Sequence, residues 1–152
     1  MLVQNKLRHA FGMFVVLSVL GGCGAGDGTG LDQNGQPIGN GSGTIPLAPT
    51  LASIQVNVFT PSCSQSGCHG NAPAQGLRLD SVANSAATLI NIASPRDSTL
   101  VRVVPGSPDS SFLIQKLEGT QTLGDRMPQG GPSLPQSTID FVRQWIANGA
   151  NP

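Results

Sequence analysis

The chain has 152 residues, of which eight are acidic, eight are basic and only 4% are aromatic. Two of the basic residues, Lys6 and Arg8, lie in an N-terminal segment that we expect to be cleaved off. The remaining chain would then have eight acidic and six basic side chains. That balance argues against a nucleic acid as the partner. The remaining length suits one domain, so we expect a single folded unit.

The N-terminal segment has the three-part layout of a secretory signal peptide. Two basic residues precede an apolar run over residues 11–20, which is too short for a permanent transmembrane helix, and two glycines then lead to Cys23. The sequence LGGC resembles the lipobox of bacterial lipoproteins. We therefore predict a signal peptide over residues 1–22 and acylation of Cys23, which would anchor the chain to a membrane of the cell envelope. Gly24 in place of aspartate favours the outer membrane, with the domain facing the periplasm or the exterior. An ordinary signal peptide with a cysteine nearby is the alternative.

The segment after Cys23 has the composition of a flexible linker. Glycine occupies eight of the 21 positions from 24 to 44, and almost no apolar side chain is available for burial. We predict that residues 23–45 form the lipidated cysteine and its linker, and that residues 46–152 form the folded domain.

Four segments of this domain place apolar residues at helical spacing. They are residues 51–61, where Leu51, Ile54 and Val58 share a face and Pro61 marks the expected end; residues 81–90; residues 111–117; and a helix around Ile139, Val142 and Ile146. Trp145 is expected to pack in the core.

Local sequence also predicts where two of these helices begin and one ends. Ser133 and Pro135 fit a capping box with proline in the first turn of the last helix, and Gly149 lies where its C-terminal cap belongs. Asp109 or Ser110 is expected to cap the third helix.

The most informative stretch is Cys63-Ser64-Gln65-Ser66-Gly67-Cys68-His69. It resembles the C-x-x-C-H signature of c-type haem attachment, in which two thiols bind the haem covalently and the histidine binds its iron. Four residues, not two, separate the cysteines here. The extra residues must loop out, and Gly67 can adopt a positive φ just before the second cysteine.

Two other interpretations of this motif remain. A Cys63–Cys68 disulfide is natural in an exported protein, but it does not require a histidine directly after the second cysteine. A zinc site is poorly supported, because a tetrahedral site needs four ligands and only Cys63, Cys68 and His69 are available.

The connections between the helices also bear on the cofactor. Residues 70–80, 105–110 and 119–134 are long and rich in glycine or proline, so a domain of this size is expected to have little core of its own. A haem, with its large apolar faces, would fill the centre.

Met127 is the candidate for the sixth iron ligand. It is the only methionine after the predicted cleavage and lies 58 residues beyond His69 in a glycine-rich loop, so it can approach the opposite haem face. A methionine that only packs is the alternative. The neighbouring Arg126 is a candidate partner for a haem propionate, with an exposed arginine as the alternative.

The order of these motifs resembles a family of bacterial c-type cytochrome domains that are often carried on lipoproteins. The shared segments are FTPSCx4CHG, GLRLDS, RVVPGSPDSSFL, RMPQGGP and FVRQWIANGA, and the match as a whole extends over about residues 52–150. The resemblance implies an all-α, class I-like cytochrome c fold. It also implies that Cys63 and Cys68 attach haem c, that His69 is the proximal ligand and that Met127 is the distal one.

We therefore expect an electron carrier and not an enzyme, with redox proteins of the periplasm or membrane as partners. The alternative is a haem-free binding or structural module of the same fold, held together by a disulfide. A peroxidase-like enzyme is disfavoured, because the mature chain has no second histidine for an open distal site.

Overall fold

A computed structural model describes residues 46–152 of the chain. The predicted signal peptide, the acylation of Cys23 and the linker lie outside the described residues. Within residues 46–152, no helix is long and apolar enough to cross a membrane.

The first helix is longer than its sequence predicts. Helix α1 (Leu51–Ile54) is capped by the Thr50 side chain and continues into a π-helical segment (Gln55–Cys63). The end lies two residues beyond Pro61, close to where it is expected, because a proline near a helix end removes one N–H donor without forcing the chain out of helical dihedral angles. π-helical turns are frequent at functional sites, and this one ends at Cys63.

The other three predicted helices are present. They are α2 (Val82–Leu89), α3 (Phe112–Glu118) and α4 (Gln136–Ala147). The predicted C-terminal cap of α4 is confirmed: Gly149 has φ +98°, and the Ala150 N–H donates to the Trp145 carbonyl at 3.0 Å.

Both predicted N-terminal caps are wrong. Helix α4 begins after Pro135 with no side-chain cap, and α3 begins after Ser111. Pro108–Ser110 instead forms a 3₁₀ turn, and the Asp109 carboxylate pairs with Arg143 of α4. Since Asp109 and Ser110 lie within this turn, neither is placed to cap α3.

The described chain also contains two short strands, whereas the resemblance implies an all-α fold. Strands β1 (Ala93–Ser94) and β2 (Asp97–Val101) pair antiparallel across a tight turn. The Asp97 carboxylate accepts hydrogen bonds from the backbone N–H and hydroxyl of Thr99, which stabilises the start of β2. The described domain is therefore partly helical, with four α-helices and one small hairpin.

The core is larger than the long loops predict. Sixteen buried apolar residues form one cluster, drawn mainly from α1, the π-helical segment and the later helices. The predicted packing of Trp145 is confirmed: the side chain is 2% exposed and its indole N–H donates to the Asn151 carbonyl at 2.8 Å. Burial of a large apolar side chain contributes about 1.5–3 kcal/mol, so this cluster is a substantial scaffold in its own right.

A buried polar network connects this core to the loop after Cys68. Ser85 of α2 donates to the Gln55 side chain, and Gln55 donates to the Leu79 carbonyl at 2.8 Å. The Leu79 N–H donates in turn to the His69 carbonyl at 2.7 Å. Since buried polar groups must be satisfied, this network fixes the backbone of His69 relative to two helices.

Candidate cofactor site

A cavity of about 260 Å³ lies beside His69, and a smaller one of about 60 Å³ adjoins it. The larger volume is near the lower end of typical small-molecule sites, about 300–1,000 Å³. Its apolar lining comes from the loop after His69, the end of α2, α3 and the loop before α4, with Leu77, Leu79, Leu89, Phe112, Leu113, Leu117 and Leu123 among the residues. Cys63, His69 and Met127 border both cavities, and Cys68 borders the smaller one.

The segment between the two cysteines is a closed loop. The His69 N–H donates to the Cys63 carbonyl at 3.1 Å, and the Cys68 N–H donates to the Gln65 carbonyl at 3.0 Å. Gly67 has φ +80°, as its position before Cys68 predicts. The four intervening residues therefore loop out and bring both ends of the motif to the same cavity.

Gly70, to which the motif assigns no role, allows this loop to close. A Cβ atom at position 70 would lie 2.6 Å from the Ser64 carbonyl oxygen, a distance that real Cβ atoms do not reach. A glycine directly after the Cys-His pair is the sequence signal of this close backbone approach.

The two thiols are not bonded to each other in this structure. Burial, together with the nearby Cys68, raises the pKa of Cys63 to about 12, so its thiol is protonated at neutral pH. Among residues 46–152, no cluster of three histidine, cysteine or acidic side chains is arranged to hold a metal ion.

The imidazole of His69 is held in one tautomer. Its Nδ1 lies 3.1 Å from the Leu77 carbonyl oxygen, and a carbonyl only accepts hydrogen bonds, so Nδ1 carries the proton. The lone pair is then on Nε2, as metal coordination requires. Burial lowers the pKa of His69, and backbone hydrogen bonds to Leu77 and Ala74 oppose this effect.

Met127 is positioned by the backbone of α3. Its N–H donates to the Lys116 carbonyl at 2.8 Å, and its side chain is partly buried against the core. The peptide bond to Pro128 is cis. Met127 thus reaches the same two cavities as His69 from a different element of the fold.

Arg126 does not line either cavity. Its guanidinium donates to the carbonyls of Met127 and Gly131, at 3.3 and 2.9 Å, and its side chain passes over Gly119. These contacts fold the loop that carries Met127. The alternative expected from the sequence, an exposed arginine, is wrong, because Arg126 is partly buried, whereas its pairing with a propionate stays a prediction.

Three other cations line the larger cavity, against a single carboxylate, Asp125. They are Arg96 in the hairpin turn, Arg102 after β2 and Lys116 of α3. The Lys116 ammonium donates to the Leu123 and Asp125 carbonyls at 2.6 and 2.8 Å and lies 5.2 Å from the Phe112 ring centroid. The cavity is therefore apolar with an excess of positive charge, which suits an apolar ligand that carries anionic groups.

Arg102 is the second site residue that sequence reasoning missed. It is buried, and its guanidinium donates to the carbonyls of Thr88 and Gln75, each at 2.6 Å. An arginine flanked by valines directly after β2 is unusual, because arginine is rarely buried without a role. That composition is the signal that could have singled it out.

The structure brings together the four residues for which the sequence predicts cofactor attachment and ligation, Cys63, Cys68, His69 and Met127, although they come from three different segments. Cys23, the predicted lipidation site, lies outside the described residues. Comparison of the chain with protein-family models, curated proteins and solved structures finds no match.

Proposed function

We propose that this chain carries one covalently attached haem c in the cavity beside His69 and transfers single electrons in the cell envelope. The observation that supports this proposal is the convergence of two thiols, an imidazole and a thioether on one small cavity. Each of these side chains has a separate role in haem attachment or ligation, and a disulfide explains none but the thiols.

The residues present fit such a group. The apolar lining suits the faces of a porphyrin, and the excess of cations suits its two carboxylates. Cys63 and Cys68 would hold it by thioether bonds, in which each thiol adds its sulfur and its hydrogen across one vinyl double bond. His69 and Met127 would hold the iron. When bound, haem supplies an iron that changes its charge by one electron.

The chain's own side chains suit electron transfer better than catalysis. The hydrogen bond from His69 Nδ1 to Leu77 fixes the ring orientation and keeps Nε2 available as the donor. A thioether ligand from Met127 would leave no open coordination position for oxygen or peroxide and would favour the reduced iron. The proposed role is therefore that of an electron carrier for redox proteins of the periplasm or membrane, not of an enzyme.

Mass spectrometry of the denatured protein tests the attachment. We expect wild-type protein from a host that matures c-type cytochromes to carry one haem per chain after denaturation and removal of loose cofactor. The variants Cys63→Ala and Cys68→Ala should each lose one thioether bond. A wild-type chain that carries no haem and has lost two hydrogens to a Cys63–Cys68 disulfide would support the haem-free module.

We also propose that acylated Cys23 anchors the chain, on the basis of the LGGC sequence that precedes it. The wild type should partition into detergent and incorporate labelled fatty acid, whereas Cys23→Ser should do neither. Soluble, unlabelled wild-type protein in the periplasm would overturn the anchor while leaving the haem proposal intact.

A further inference from the structure

We propose that Arg102 binds a carboxylate of the cofactor inside the cavity, an inference that rests on the proposed function. The sequence motifs assign no role to this residue. Its position, burial and hydrogen bonds together indicate a positively charged group that is held in place before an anionic partner binds.

The backbone of Arg102 is fixed on both sides. Its N–H donates to the Ile92 carbonyl at 2.8 Å, and its carbonyl accepts from the Leu113 N–H at 2.9 Å. The residue is 8% exposed, so its side chain has little freedom. A guanidinium that is already ordered loses little conformational entropy when a ligand binds.

The guanidinium has hydrogen-bonding capacity left for a ligand. The bonds to Thr88 and Gln75 use two of the five N–H donors of an arginine. Both partners are neutral carbonyls. The remaining donors match the two oxygens of a carboxylate, which arginine binds in a planar, bidentate geometry.

No carboxylate neutralises this charge within the described domain. Arg143 and Arg78 pair with acidic side chains, but within residues 46–152 no acidic oxygen lies within 4 Å of the Arg102 guanidinium. A buried charge without an opposite charge is costly, because desolvation is not offset. An anionic group in the adjoining cavity would supply that offset.

Arg102 and the proposed iron ligand border the same cavity. Arg102 and His69 both line it. The turn that contains Gln75 also lines the cavity, and Gln75 has φ +57°, a left-handed conformation that is unfavourable for this residue. By binding the Gln75 carbonyl, Arg102 stabilises this turn as part of the cavity wall.

The other two cations of the cavity are less suited to this role. Arg96 is exposed, so water screens its charge. The Lys116 ammonium already binds two carbonyls and faces the Phe112 ring. Arg96 is therefore a matched control, because it is the same residue type and lines the same cavity.

The test uses the haem-loaded protein and its variants Arg102→Gln, Arg102→Lys and Arg96→Gln. Resonance Raman spectroscopy reports the bending vibration of the haem propionates, and titration at neutral pH reports the reduction potential. We expect Arg102→Gln to shift the propionate vibration and to lower the potential, since loss of a nearby positive charge favours the oxidised iron. Arg102→Lys should recover part of both values, and Arg96→Gln, which removes an exposed cation of the same cavity, should change both less than Arg102→Gln does.

A different result is expected if Arg102 only stabilises the fold and does not bind the cofactor. In that case Arg102→Gln would lower the stability to unfolding but leave the propionate vibration unchanged, and this outcome would overturn the proposal. If Arg102→Gln does not fold, Arg102→Lys decides, because a shifted propionate vibration supports the proposal and an unchanged one rejects it. A wild-type chain without haem would reject the proposed function and this inference together. A wild-type chain with haem whose propionate vibration does not change in the Arg102 variants would reject the inference alone.

Discussion

Two regions of the domain are held in place by different forces. The helical core, the sixteen-residue apolar cluster, is fixed by burial of side chains. The site loops, residues 63–80 and 119–134, are held by single hydrogen bonds to backbone carbonyls, which come from backbone N–H groups and from polar side chains. Examples are His69 to Leu77 and Arg126 to Gly131.

This difference shows how the fold separates stability from chemistry. Apolar burial is additive over many residues, so the core tolerates small changes at its periphery. A loop held by individual hydrogen bonds depends on each partner, because an unsatisfied buried group costs about 1–3 kcal/mol. Substitutions in the site loops should therefore change haem attachment or ligation, whereas substitutions in the core should change the free energy of unfolding.

The largest expected loss of stability comes from Trp145→Ala. The side chain is 2% exposed and belongs to the apolar cluster, so its removal should cost about 3–5 kcal/mol. Urea unfolding followed by far-ultraviolet circular dichroism measures this loss. The control Phe141→Ala, at a partly buried position of the same helix, should cost clearly less. Equal losses of unfolding free energy in the two variants would show that Trp145 contributes no more to stability than Phe141 does.

Gly70→Ala should damage the site more than the core. Its Cβ would lie 2.6 Å from the Ser64 carbonyl oxygen, so the loop between the cysteines must shift, at a cost of about 1–3 kcal/mol. We expect a lower fraction of chains with covalent haem, measured by mass spectrometry.

The control Gly106→Ala separates this clash from a general effect of alanine. Gly106 has φ +79°, but a Cβ at this position would meet no atom within 4 Å, so only backbone strain of about 1–2 kcal/mol is expected. Haem attachment should stay at the wild-type level. An equal loss of haem in both variants would contradict the role of the Gly70 contact.

Sequence reasoning succeeds where the structure depends on local pattern. The apolar spacing of Ile139, Val142 and Ile146 predicts α4, and all three residues are buried. Gly149 predicts its end, because a left-handed residue at that position is a local requirement. The motif around Cys63 and His69 likewise predicts which side chains meet at the cavity.

The features that sequence reasoning missed depend on distant partners. Aspartate is a common N-cap residue, so the local sequence predicts that Asp109 caps a helix. Its carboxylate instead accepts a hydrogen bond from Arg143, 34 positions later. The buried Arg102 depends on carbonyls of Gln75 and Thr88, 27 and 14 positions away. Such contacts leave no periodic signal in the sequence, so only the fold reveals them.

Substitutions of Met127 should change the ligation of the iron while leaving the stability of the fold nearly unchanged. Met127→Leu keeps an apolar side chain of similar volume, so stability should change by less than about 1.5 kcal/mol. The oxidised protein should nevertheless lose the weak red charge-transfer band of a sulfur–iron bond, and its reduction potential should fall. Met127→Ala should show the same spectral loss and faster cyanide binding. An unchanged spectrum in both variants would make Met127 a packing residue.

The smallest expected effect concerns Asp80, at the end of the first site loop. Its carboxylate binds the Arg78 guanidinium and the Asn84 side chain, and these hydrogen bonds lower its pKa in the folded protein. A lowered pKa contributes stability above the unfolded value, near 3.9, and this contribution is lost as the pH falls through the folded value. Asp80→Asn should therefore flatten the acid limb of the stability curve between about pH 5 and 2 and leave haem content unchanged. Because the carboxylate is well solvated, the effect should be small, and urea unfolding at a series of pH values measures it. An acid limb as steep in Asp80→Asn as in the wild type would assign the acid sensitivity to other carboxylates.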